Sequence, residues 1–313
     1  LFSVLRAGFP DSARCFIETG SGGIFTYGDM LLRSAQYANA LIGLGVKPGD
    51  RVAAQVGKSI EGLMLYLGTI RAGAAFLPLN TAYTPAELRF FLGDAEPALV
   101  VCRPAMENDI RAVTGEAILE TLGESGVGGT LGALADLASD VIDDAPRSAG
   151  DLAAILYTSG TTGRSKGAML AHANLGSNAK ALFKTWAFTG DDRLLHALPI
   201  YHTHGLFTAT NTVLAAGASM IFLPKFDAEE VTGLLPRASV MMGVPTFYSR
   251  LLQCEALTED ALKHMRLFIS GSAPLSPEVH SEFKKRTGHT ILERYGMTET
   301  GMNTSNPYDG PRR

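Results

Sequence analysis

Short apolar runs alternate with amphipathic stretches along most of this chain, and that alternation limits the folds open to it. Residues 51–56, 74–79, 98–102 and 152–156 read as buried strands. Between them, 59–71 carries Leu63, Leu67 and Ile70 on one helical face, and Thr84-Pro85-Ala86-Glu87 combines an N-cap, a first-turn proline and a capping-box glutamate. Thr26 and Asp29 open an earlier helix that stops at Gly45. The pattern resumes with a helix bearing Leu175, Ala179, Leu182, Phe183 and Trp186. Strands follow at 193–198, 218–223, 239–243, 265–270 and 291–295, the last of them, with helices begun by Asp227 and by Ser276-Pro277. Apolar strands separated by helices imply parallel βαβ units in sheets covered on both faces. The expected class is α/β. Because 313 residues is long for one core, two α/β subdomains with mainly parallel sheets are expected. The weakly patterned stretch 103–150 is the expected seam between them.

Residues 155–170 break this rhythm. After the apolar run, Thr158, Ser159, Thr161, Thr162 and Ser165 supply hydroxyl donors, while Gly160, Gly163 and Gly167 allow close backbone approach. Arg164 and Lys166 add two cations. Donors, cations and missing side chains together suit a polyanion such as a triphosphate. The spacing is not that of the P-loop, since Ser165 stands where the second glycine is required and Lys166 precedes Gly167.

Composition narrows the partners. The net charge of −4 provides no basic field, so neither nucleic acid nor an anionic membrane is expected as a partner. No apolar run reaches membrane-spanning length, 213–223 being interrupted by Gly217 and Ser219. The three cysteines, Cys15, Cys102 and Cys254, are odd in number and far apart, which reads as reduced thiols. A cytoplasmic setting is expected, or an organelle matrix had a targeting peptide been removed upstream of Leu1.

The 155–170 loop resembles, at nearly every position, the phosphate-binding signature of the adenylate-forming (AMP-binding, acyl-CoA synthetase) superfamily. Glu293-Arg294-Tyr295-Gly296-Met297-Thr298-Glu299-Thr300 resembles its Tyr-Gly-x-Thr-Glu box, at the end of a strand where open α/β sheets place ligands. The resemblance implies ATP, Mg2+ and coenzyme A. It places Thr158, Ser159, Gly160, Thr161, Thr162, Gly163 and Lys166 on the phosphates, Tyr295 on the adenine, Gly296, Met297 and Thr298 around the nucleotide, and Glu299 on the magnesium. Lys166, Thr298 and Glu299 are the residues it implicates in catalysis. Gly271-Ser272-Ala273-Pro274 stands where relatives commonly have Gly-Gly-Ala, against nucleotide and acyl group, so Ser272 adds a hydroxyl. Segment 70–80 resembles a further, mainly structural, family stretch.

Pro199-Ile-Tyr-His-Thr-His-Gly205 resembles the His-x-x-Gly segment beside the acyl site. If extended, it would point His202 and His204 to one side, a possible metal pair that lacks a nearby third ligand. Amino-acid-activating relatives usually carry an aspartate here, and no Asp occurs between Asp192 and Asp227. Arg294 is the sharpest clue, because many relatives have a small or neutral residue before Tyr-Gly. A guanidinium beside an acyl site invites a second carboxylate. Together with 198–205, 242–248 and 292–299, it makes the chain similar to malonyl-CoA synthetases. Arg294, with His202 and Ser272, is then expected to hold the distal carboxylate of malonate. Methylmalonate or another short acid is the alternative. The family's ribose aspartate, hinge and small C-terminal domain with its adenylating lysine have no counterpart before Arg313. Residues 1–313 are therefore expected to be the N-terminal AMP-binding domain, able to bind nucleotide and acid but to turn over poorly alone.

Overall fold

The computed structural model describes residues 1–158 and 165–310. It forms two compact units, one from Leu1–Ser3, Gly28–Leu175 and Ile200–His202, the other from Val4–Tyr27, Gly176–Pro199 and Thr203–Arg313. Both are α/β, as the alternation requires.

The first unit holds a six-stranded sheet in the order Ile118–Thr121, Leu99–Cys102, Arg51–Gln55, Ala75–Pro78, Leu152–Thr158, Lys166–Ala171. The first five strands run parallel, and only the last pair is antiparallel. Its helices begin where local chemistry dictates. Ser59 accepts from Gly62 N–H ahead of Ile60–Arg71, and Thr84 and Glu87 form a reciprocal capping box ahead of Pro85–Ala95. Phe91, Leu92, Leu77, Val100 and Ile110 are among the side chains that close the core on this sheet.

The second unit holds an eight-stranded sheet, ordered Gly301–Ser305, Ile291–Met297, Leu267–Ser270, Val240–Gly243, Arg193–His196, Ser219–Phe222, Cys15–Thr19, Ile24–Thr26. Its two edge pairings are antiparallel and the interior is parallel. Phe268, Phe283 and Tyr248 pack edge-on to one another in its core, and Tyr248 also donates to Ile269 O at 2.6 Å.

Three expectations are corrected. Residues 103–150 are not a seam: Ile118–Thr121 pairs with Leu99–Cys102, so the stretch lies wholly inside the first unit. The strand at 291 is not the last, because Gly301–Ser305 returns antiparallel to it. Residues 204–210 are not extended. They form a π-helical turn that continues into Asn211–Ala216.

At the N-terminal ends of the second sheet's strands, buried Asp192 pairs with half-buried Arg266. Asp192 receives two hydrogen bonds from Arg266, Nε to Oδ1 and Nη2 to Oδ2, both 2.7 Å, and further ones from Ser239 Oγ and the Thr189 N–H. Arg266 also donates to the Trp186 and Ala187 carbonyls. Burial opposes ionisation of Asp192, yet these donors hold its carboxyl below the usual range. Among the described residues no helix is long and apolar enough to cross a membrane.

Candidate functional site

The hydroxyl and glycine loop joins the antiparallel strands Leu152–Thr158 and Lys166–Ala171 of the first unit. Thr158 and Lys166 are direct partners across the ladder, so both stand at the loop's base, with Lys166 exposed. Gly167 follows, where a Cβ would come 3.1 Å from Ile155 Cγ2 and 3.5 Å from the Tyr157 ring. Ser159, Gly160, Thr161, Thr162 and Gly163 lie outside the described residues.

In the second unit the parallel strands end at a cavity of about 560 Å³ whose wall includes Ser270, Ser272, Ala273, Arg294, Tyr295 and Gly296. The hairpin carrying Arg294 is pinned from behind. Asn178 donates to Met302 O and accepts from Met302 N–H, and Trp186 Nε1 donates to Ser305 Oγ at 2.9 Å. Arg294 is 7% exposed, and its Nε and Nη2 have no hydrogen-bond partner among the described residues. Burial pulls its pKa down to about 10, which leaves it cationic at neutral pH. A buried guanidinium with unmet donors is costly unless an anion completes it, so the site asks for a carboxylate or phosphate.

The guanidinium lies on the backbone of Gly271, where an added Cβ would come 2.3 Å from Cζ and 2.4 Å from Nε. The φ of Gly271 is not among the positive values, so alanine would be tolerated by the backbone there but not by Arg294. Gly271→Ala is expected to displace the guanidinium and lower kcat/KM for a dicarboxylate by about 10²-fold, the scale of a roughly 1 Å misplacement. Steady-state kinetics beside a thermal melt check this; unchanged kinetics would remove Arg294 from substrate contact.

Ser272 occupies the left-handed region, φ 71°, without being glycine. That conformation costs about 1–2 kcal/mol for a residue with a Cβ. Its Oγ hydrogen-bonds His204 Nδ1 at 3.2 Å, with donor and acceptor set by the tautomer. His204 is 5% exposed and starts the π-helical turn. The turn is shaped by Gly205, where a Cβ would come 2.1 Å from Pro199 O, and by Gly205 O, which lies 2.9 Å from His196 Nε2 and accepts from Thr210 Oγ1. His202 belongs to the first unit, is exposed, and has its ring 4.6 Å from that of Tyr201. Sequence reasoning passed over the wholly buried Thr208, Thr210, Asn211 and Thr212. Their signal was a polar cluster inside an apolar run.

Tyr295 alternates with Arg294 on one strand and is 58% exposed. Met297 is also exposed, Gly296 is half-buried beside a register shift, and Thr298 and Glu299 form the hairpin turn. Among the described residues no three His, Cys, Asp or Glu side chains gather as a metal site. Glu299, a carboxylate exposed in a turn, fits an ion held mostly by phosphate oxygens and water, as magnesium usually is.

The whole layout has close relatives. The mitochondrial malonate–CoA ligase of Xenopus laevis is 32% identical over 317 residues, covering 93% of this chain and 54% of that protein. The crystal structure of apo MatB from Rhodopseudomonas palustris superposes with a TM-score of 0.97 at 55% identity, covering 100% of this chain and 62% of that one. The ATP-bound form of the same protein gives 0.96 at 56%, covering 99% and 62%. The chain spans about half the length of the curated relatives it matches. The AMP-binding enzyme model matches residues 6–313, and the chain belongs to that family.

Proposed function

We propose that the protein is an ATP-dependent acid–thiol ligase that adenylates malonate and passes the malonyl group to coenzyme A. The observation that carries this reading is Arg294, buried in the wall of the cavity with two nitrogens that have no partner among the described residues. It supplies the partner that a dicarboxylate needs and a monocarboxylate does not. The malonate–CoA ligases among the relatives support the same choice.

In the first step a carboxylate oxygen of malonate attacks the α-phosphorus of ATP, the bond to the β-phosphate oxygen breaks, and pyrophosphate leaves. In the second the thiolate sulfur of coenzyme A attacks the acyl carbon and AMP leaves. Charge crowds together in the first step, so the protein's contribution is placement and neutralisation. Thr158 and Lys166, with the Ser159–Gly163 residues of the loop, serve the phosphates. Tyr295 offers its exposed ring to the adenine, and Gly271, Ala273, Gly296, Met297 and Thr298 line the nucleotide. Glu299 would hold Mg2+, which when bound offsets phosphate charge. Arg294, with Ser272, takes the carboxylate that does not react; His202 is a weaker candidate for that role.

An acid panel scored by pyrophosphate release on the full-length protein tests this. Malonate should exceed acetate and propionate in kcat/KM by at least about 10², since a site built around a polar group rejects analogues that lack it. Equal rates for mono- and dicarboxylates would overturn the assignment. Methylmalonate turning over faster than malonate would keep the chemistry and change the substrate.

A further inference from the structure

Ser272 pays for its side chain with a left-handed backbone, where glycine would be unstrained. The residue lines the cavity, and its hydroxyl hydrogen-bonds the imidazole of His204. His204 itself is almost wholly buried and starts a tight turn. Adjacent residues therefore touch the two polar groups: Gly271 lies under the Arg294 guanidinium and Ser272 holds the His204 ring.

We propose that His204 is a positioning residue for the acid: it donates its Nδ1–H to Ser272 Oγ and so aims the serine's own O–H at the carboxylate held by Arg294. This rests on the malonate reading above. The direction of the bond follows from the ligand. An ionised carboxylate only accepts hydrogen bonds. If Ser272 spent its proton on the ring, its oxygen lone pairs would face the carboxylate and repel it. If the ring donates, the serine proton is released to the acid, and Arg294 and Ser272 present donors side by side. The structure thereby gives the buried histidine a task that needs no contact with substrate.

The test is a double-variant cycle on malonate in the full-length enzyme, using Ser272→Gly and His204→Phe. Each single variant should raise KM for malonate about five- to tenfold with kcat nearly unchanged, the scale of one lost hydrogen bond. The double variant should be no worse than either single one, because Ser272 acts with His204 as a unit. His204→Asn, whose amide nitrogen can stand near the Nδ1 place, should recover KM to within about twofold of wild type. Propionate KM should not move. Factors that multiply in the double variant, or equal losses for propionate, would overturn the proposal. Should His204→Phe fail to fold, histidine-selective 15N NMR of the wild type decides: a protonated Nδ1 supports the proposal, and a neutral ring protonated only at Nε2 overturns it. Failure of the wild type to use malonate at all would instead sink the substrate reading, so the two failures are told apart.

Discussion

Replacing Arg294 with alanine is expected to lower kcat/KM for malonate by roughly 10²–10³ while short monocarboxylates lose far less. Malonate brings two carboxylates, and only one attacks phosphorus. On the proposed reading the other meets the buried guanidinium of Arg294, whose Nε and Nη2 have no partner among the described residues. Removing one member of a buried charge pair typically costs about 3–5 kcal/mol. The expected factor takes the lower part of that range. For acetate or propionate the arithmetic reverses. These acids leave Arg294 unpaired in the wild type, so its loss removes a penalty as well as a contact. Kinetics of the variant on malonate and propionate side by side check this. If both acids fell by one factor, Arg294 would be serving the nucleotide or the fold.

The second large effect is on stability and lies at the opposite ends of the same strands. Arg266→Met is expected to destabilise the second unit by about 3 kcal/mol, because it strands Asp192 as a buried, partly satisfied charge. Adding Asp192→Asn should recover most of that loss, since the amide carries no charge. Denaturant unfolding of the three variants measures it, and additive losses in the double variant would refute the pairing. The pH dependence has a definite sign. The folded carboxyl of Asp192 is held below its usual value of 3.8, so its contribution is fully present above about pH 4. It is lost as pH falls through the lower folded value. Arg266→Met should therefore flatten the acid limb of stability below about pH 4.

Local chemistry was legible where it decides structure by itself. The helix Pro277–Thr287 begins at Ser276 and ends at left-handed Gly288, as its cap residues dictate. The 155–170 loop and the Tyr-Gly-x-Thr-Glu box could be singled out because their residue order is distinctive. What stayed hidden depends on residues distant in sequence. Gly301–Ser305 has no strand pattern of its own and is held by Asn178 and Trp186, more than a hundred positions earlier. The division into units was missed because each is assembled from three separate segments. Which of two histidines meets Ser272 was decided by a π-helical turn, and nothing in Tyr-His-Thr-His announces one.

The strand Ile291–Met297 sets a rule for how this protein can diverge. Arg294 is buried and its neighbour Tyr295 is exposed, so the proposed acid and adenine contacts fall to successive side chains of one ribbon that both line the cavity. A substitution at either position leaves the direction of the other side chain unchanged. Insertions and deletions have no such freedom. Slipping the ribbon by one residue would turn the tyrosine inward and the arginine outward together. On the proposed reading, a substitution in this strand can change the acid contact without moving the tyrosine ring, whereas a change in the strand's length moves both.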